Sequence, residues 1–336
     1  MARVLQCPKK EDFKVAIICA MPKEADAMIE VLGDGLGKTN IEHGRNSSYA
    51  YSWGIIEYTP VVLVMPNKTG NVHAGRAAEA LHFDFPNLDV VLLVGICGGV
   101  PTTTDGTAVY LGDVIISEAV RTYLENDHFV SGQRVFSGSK VHHLKGHTDF
   151  VQNVQGQMKL RRKKEGLLKD ARLAFEKLDY NLYVRPALTE DLLFPDTYQH
   201  MHRNSTCCNV PENKPCKDVK QEPCKKVCID GEPMRRRSVE DFSIHYGYYA
   251  SDSTIMRDGP TRDQLAKDGV LGFDTEATGV TALDIIGSFV IKGVCDYADC
   301  HKNDTWQQHA AATAACVAKA VIQNHFSQSN PGGNGM

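Results

Sequence analysis

The sequence predicts an α/β fold, arranged as a single three-layer α/β/α domain, and two observations carry that prediction. Strand-like apolar runs alternate with helix-compatible segments from Val15 to Phe326, the pattern of one sheet covered on both faces. The most apolar runs, VAIICA (15–20), DVVLLV (89–94) and FVIKGV (289–294), are nearly unbroken, as strands buried on both sides are. A chain of 336 residues with 42% hydrophobic content can bury one large core.

Taken in order, residues 1–12 are polar and read as a flexible arm. VAIICA is the first strand, and it runs into MPKEADAMIEVL, where Ala25, Met28, Ile29 and Leu32 recur at helical spacing. Glu24 therefore falls where strand hands over to helix. Residues 49–56 and 61–65 read as a hairpin pair. A Gly- and Asn-containing turn then leads to a helix over 74–81. DVVLLV ends in GICGGV (95–100), whose glycines let backbone N–H groups approach a ligand; a tight turn is the plain alternative. GDVIIS (112–117) is a further strand.

Residues 131–185 hold a basic helix-prone segment with Leu160, Leu167, Leu168, Leu173 and Phe175 as its apolar stripe. Residues 195–240 differ in composition. They carry Cys207, Cys208, Cys216, Cys224 and Cys228, little apolar content and no periodicity. They read as an insertion in a domain spanning 13–326. Cys224 and Cys228 have tolerable ligand spacing but match no strong zinc template, so no metal is expected. SIHYGYYASDSTI returns to strand character, MRDGPTRDQLAKDG supplies a short helix, and residues 306–326 form an Ala-rich helix with Asp304 as its N-cap. Residues 327–336 read as a disordered tail.

Composition narrows the function classes. A net charge of −4 argues against a nucleic-acid binder. No apolar run reaches membrane-span length, and MARVLQCPKKEDFK lacks the apolar core of a signal peptide. A soluble cytoplasmic protein is expected. Cys19, Cys97, Cys295 and Cys316 lie in apolar runs, where a reduced cysteine acts as a small hydrophobe, as in the cytosol.

The chemistry gathers in LGFDTEATGVTALDIIGSFVIKGVCDYADCH (271–301). Two strands, 271–273 and 289–294, break at acidic turns, with a helix-compatible stretch (277–286) between them. In parallel α/β sheets, strand ends on one edge form the ligand crevice. Asp274, Glu276, Asp296 and Asp299 are thus expected at one edge, where half-buried acids suit proton chemistry on a small polar molecule. The plain alternative is that they cap helices.

Five strings in this order resemble the nucleoside phosphorylase superfamily, and above all its methylthioadenosine/adenosylhomocysteine nucleosidase branch. They are VAIICAMPKEADAM, DVVLLVGICGGV with LGDVIIS, YYASDSTI, GFDTEATG and VIKGVCDYAD. The C-terminal string KGVCDYADCHKNDTWQQHAAATAACVAKAVI is similar to domains fused to NACHT or repeat modules in fungi and some animals. The resemblance covers residues 13–130 and 240–326. It implies a central mixed sheet, no cofactor, a homo-oligomer (dimer or trimer), and cleavage of a purine–ribose bond.

The resemblance also assigns roles. Asp296 matches the acid that protonates purine N7, for which burial would supply the raised pKa. Glu276 matches the ligand of the ribose 2′- and 3′-hydroxyls. Glu24 matches the carboxylate that activates water. Gly95, Ile96, Cys97, Gly98, Thr254, Ile255, Phe273, Asp274, Thr275 and Lys292 fall at substrate-binding positions. The bacterial phosphorylases carry a Gly-Asp-Pro-x-Arg turn where this chain has Met21-Pro22-Lys23-Glu24. Their phosphate-binding Arg and Ser beside the glycine turn match Leu93 and Ile96. A carboxylate in place of phosphate ligands favours water as nucleophile, with Lys23 and Lys292 as the groups able to hold phosphate instead. Thr275 stands where the nucleosidases have Met, and Lys292 where they have Arg. These departures, with Lys23, Lys68, His73, Arg76, Arg121 and Arg257 as candidate 5′-phosphate contacts, point to an adenine nucleoside or nucleotide, from adenosine and AMP to ATP. The rival readings are a phosphate-dependent phosphorylase, a non-catalytic nucleotide sensor and a zinc-dependent interaction module.

Overall fold

The computed structural model describes residues 6–33, 49–123, 128–130, 133–135, 140–143, 149–200, 235–236, 241–283 and 287–326. The strands are β1 Val15–Ile18, β2 Tyr51–Ile56, β3 Thr59–Val64, β4 Val90–Gly99, β5 Val114–Thr122, β6 His128–Val130, β7 Gln133–Val135, β8 Lys140–His143, β9 Leu192–Leu193, β10 Arg235–Arg236, β11 Ile244–Ser251, β12 Val270–Asp274 and β13 Gly287–Asp296. The helices are α1 Pro22–Leu32, α2 Asn71–Asp84, α3 Asp149–Lys159, α4 Arg161–Phe175, α5 Tyr180–Tyr183, α6 Gly259–Ala266, α7 Ala277–Thr281 and α8 Gln307–Phe326.

Nine strands form one mixed sheet in the order β12-β11-β5-β13-β4-β1-β3-β2, with β8 on β5. β4 and β13 are parallel neighbours at its centre, and all ten residues of each are buried. That is why both read as apolar runs. β4 also meets β12 antiparallel through Gly98 and Gly99. The strands β12-β11-β5-β13-β4 thereby close into a ring.

Helices cover the sheet. α8 packs on β4 and β13 and touches α1 and α4, while α2 packs on α7. The last contact is backbone against backbone: a Cβ on Gly279 would lie 1.8 Å from Asn71 O, so only glycine lets the two helices meet.

Several expectations shift. The glycine string after residue 94 is no turn: the strand runs on through Gly99. α7 ends at Thr281, and residues 284–286 lie outside the described set. On α4, Leu167 and Ala171 are buried and Leu168 and Phe175 pack on the core, while Leu173 is 46% exposed and Leu160 precedes the helix as its N-cap. A short 3-10 turn, Lys10–Asp12, leads into buried Phe13. Most of the cysteine-rich stretch, Cys224 and Cys228 included, and residues 327–336 lie outside the described residues.

Candidate active site

The sites of interest begin at strand ends. Glu24 follows β1 at the third position of α1, with Pro22 preset for the first turn. Its Oε2 accepts from Ala20 N at 2.7 Å and Met21 N at 2.9 Å, which is helix capping. Its Oε1 does something capping does not require. It accepts from Ile96 N at 2.8 Å, in the glycine-rich half of β4. Gly95 makes that approach feasible, since a Cβ there would stand 2.1 Å from Oε1. Burial raises the Glu24 pKa to about 7; the Lys292 ammonium opposes the rise and the Glu276 carboxylate adds to it.

β12 delivers Asp274 and then Glu276 to the same edge. Asp274 does cap α7, accepting from Ala277 N at 3.3 Å. Glu276 does not cap it. Instead its Oε1 accepts from Gly70 N (3.1 Å) and from the Thr275 hydroxyl (2.6 Å). Lys292, 1% exposed on β13, bridges Asp274 Oδ2 at 2.8 Å and Glu276 Oε2 at 2.9 Å. Burial, the largest single influence, would push Glu276 up, but the ammonium together with the hydrogen bonds from Thr275, Lys292 and Gly70 outweighs it and the pKa falls to about 2. Burial would likewise lower Lys292, and Asp274, Glu276 and Glu24 together hold it well above its ordinary value. Removing one member of a buried ion set leaves uncompensated charge, a loss of about 3–5 kcal/mol.

Asp296 ends β13. The β4–β13 register shifts between Val294 and Asp296, an irregularity that re-aims a side chain. Oδ1 accepts from Ala298 N at 2.9 Å. Ala298 sits at φ 53, a conformation costly to a non-glycine residue and common at functional sites. Oδ2 accepts from the Cys295 thiol at 3.1 Å and from the Lys302 ammonium. Burial is therefore only part of the environment of Asp296: a cation sits on it, which the sequence did not suggest.

These groups line one cavity of about 180 Å³, with Glu24, Glu276 and Asp296 all in its wall. Ile96, Cys97, Gly98, Ile255, Phe273, Asp274, Thr275 and Arg257 line it too. Gly95 and Lys292 do not; both stand behind the carboxylates they serve. Thr254 is also off the wall, its carbonyl accepting from Tyr123 OH at 2.8 Å. Of the six candidate phosphate contacts, only Arg257 reaches the cavity. The Lys23 ammonium is held by Gln307 and Arg121 stacks 4.6 Å over the Tyr248 ring; Lys68, His73 and Arg76 are outside the wall. Asp299 turns away toward His301 (2.9 Å to its N–H) and Arg262 (3.5 Å). Sequence reasoning assigned none of Ala20, Met21, Thr69, Met256, Cys295, Lys302, Asp304 and Gln307 to the site, and they complete the wall.

Three carboxylates from separate strand ends thus share one cleft of the mixed sheet. The phosphorylase superfamily profile matches residues 14–323, and the chain belongs to that family. It is 27% identical over 322 residues to a nucleotide-binding leucine-rich repeat (NLR)-like protein of Hyaloscypha variabilis, covering 93% of this chain and 29% of that protein. The chain thus spans under a third of that relative's length. Among solved structures it resembles the 5′-methylthioadenosine/S-adenosylhomocysteine nucleosidase of Neisseria meningitidis bound to methylthio-immucillin-A, at TM-score 0.51 and 17% identity over 93% of this chain and 99% of that one. It also resembles the nucleosidase of Colwellia psychrerythraea bound to adenine, at TM-score 0.53 and 16% identity over 94% and 96% of the two chains. Futalosine hydrolase of Helicobacter pylori gives TM-score 0.52 and 13% identity over 93% and 98%.

Proposed function

We propose that the chain is a nucleosidase that uses water to release adenine from an adenine nucleoside or nucleotide. The observation that carries this reading is the meeting of Glu24, Glu276 and Asp296 in one cavity wall. In it, Glu24 draws a proton from water, Glu276 holds the ribose hydroxyls, and Asp296 hands a proton to N7 as the C1′–N9 bond breaks. The split between a carboxyl near 7 and one near 2 suits a base that must cycle beside an anion that must not. Glu276 already accepts from Gly70, Thr275 and Lys292. A carboxylate has about four acceptor sites, so the Thr275 hydroxyl has to rotate off for both sugar hydroxyls to bind.

Water rather than phosphate is favoured because Lys23 and Lys292, the lysines expected to grip an anion, are engaged, as is wall-lining Lys302 on Asp296. Lys292 is held between two carboxylates and Lys23 by Gln307. Arg257 at the wall supports a phosphorylated 5′ end and so a nucleotide. We propose in addition that the protein is a cytosolic homo-oligomer. Incubation with adenosine, methylthioadenosine, AMP and ATP, each with and without inorganic phosphate, tests it. Adenine release that is indifferent to phosphate, and fastest with a nucleotide, is expected. Ribose-1-phosphate formed only when phosphate is added would overturn hydrolysis.

A further inference from the structure

We propose that the cleft between α4, α5 and the start of α8 is a second ligand site, shaped for a small planar heteroaromatic amine of the nucleobase class. It is a cavity of about 490 Å³, the size of a small-molecule site. It shares no wall residue with the cavity that holds Glu24, Glu276 and Asp296. Its wall is already in place. Phe175 meets Phe242 edge-on with 6.0 Å between ring centres, and meets the His309 ring at 5.2 Å. His309 Nδ1 lies 3.2 Å from Tyr183 O. A carbonyl only accepts, so that nitrogen carries the proton and ties α8 to α5. Arg172 Nη2 donates to Phe242 O at 2.7 Å, and Nη1 pairs with Asp241 at 3.3 Å. Rings and guanidinium are thus fixed around one space, which lowers the cost of binding.

The polar groups of the wall make opposite demands. Arg172 Nε is buried and meets no acceptor among the described residues. A buried donor left so is costly, and a ligand with an acceptor relieves it. Glu176 stands exposed where α4 ends and lines the same cavity. As a carboxylate it accepts only, so it calls for N–H donors. The occupant must therefore offer a flat face to Phe175 and Phe242, an acceptor to Arg172 and a donor to Glu176. An aliphatic molecule meets neither polar demand. A phosphate ester is disfavoured, because the carboxylates of Glu176, Asp179 and Asp241 outnumber the guanidiniums of Arg172 and Arg185 in the described wall. An amino-substituted heteroaromatic ring meets all three demands, with a ring nitrogen on Arg172 and its amine on Glu176. Adenine is the member of that class which the proposed reaction would itself release. That choice of probe rests on the nucleosidase reading; the site does not. His309 follows two residues after Gln307, which lines the other cavity, so one helix serves both walls.

Equilibrium dialysis of labelled adenine against the whole chain tests the site in wild type, Val184→Trp and Arg172→Met. Val184 lines the cavity and is 42% exposed, so an indole there fills the opening without entering the core. An unchanged melting temperature checks that the variant is folded. Wild type should bind two adenines per chain, one in each cavity, and Val184→Trp only one. Arg172→Met should weaken the second site about tenfold, the scale of one hydrogen bond. Equal stoichiometry in wild type and Val184→Trp overturns the proposal, whatever the substrate panel shows. A single adenine per wild-type chain that Val184→Trp loses upholds the second site and counts against the nucleosidase reading.

Discussion

Glu24 and Glu276 are both buried beside one ammonium, yet they bind protons very differently. Glu276 touches Lys292 at 2.9 Å; Glu24 has three backbone amides and no cation in contact. Direct contact with a charge outweighs burial in one case and not in the other. The proposed base is active when ionised, so acid removes activity. We expect kcat/KM to fall about tenfold per pH unit below about 7, measured as adenine release between pH 5 and 8. A profile flat through pH 6 would exclude Glu24 as the base. Its position was legible in the sequence, because a strand-to-helix junction placed it. Its reach to Ile96 was not, since that depends on residues 72 positions apart.

Among elements, the α2–α7 contact matters most for Glu276, the proposed ribose ligand. Gly70 immediately precedes α2 and its N–H holds Glu276, and α7 begins just after Glu276. Gly279→Ala puts a methyl group against Asn71 O and must part the two helices. We expect a stability loss of about 1–3 kcal/mol and a raised KM, read by chemical denaturation and by kinetics on the same preparation. An unchanged KM would mean that Gly70 does not position Glu276. Period and acidic punctuation revealed these elements, including the two acidic strand ends. The glycine string deceived, because glycine in a strand and glycine in a turn look alike until the partner is known. Lys302 was missed because it lies in an irregular turn, aimed by Ala298 and Arg262 and not by any repeat.

Across the whole molecule, buried titrating groups set how stability varies with pH. Glu276 drops from an ordinary 4.5 to about 2, so its contribution is present above 4.5 and is lost as pH falls through about 2. His301 is buried, which lowers it, but its bonds to Asp299 and Cys300 raise it from 6.5 to about 9; its contribution is full below 6.5 and is lost as pH rises through 9. Glu24 goes from 4.5 to about 7, so folding weakens between those values as the unfolded chain ionises first. Together these signs put the stability maximum near pH 4.5, where all three contributions are present. Thermal midpoints across pH 3–9 should peak there, on the acid side of the activity optimum. A midpoint highest above pH 8 would contradict it.

The antiparallel meeting of β4 with β12 has a lasting consequence. Once those strands clasp, Glu276 and Asp296 are rooted in the same hoop, as is Ile96, to which Glu24 is fastened. No stave can be moved alone. What remains adjustable is the rim: Thr69, the stretch Ile255 to Arg257, and the segment from Lys302 to Gln307. If the proposed function holds, a lineage could change its substrate by rewriting those short stretches while the three carboxylates beneath stay as they are.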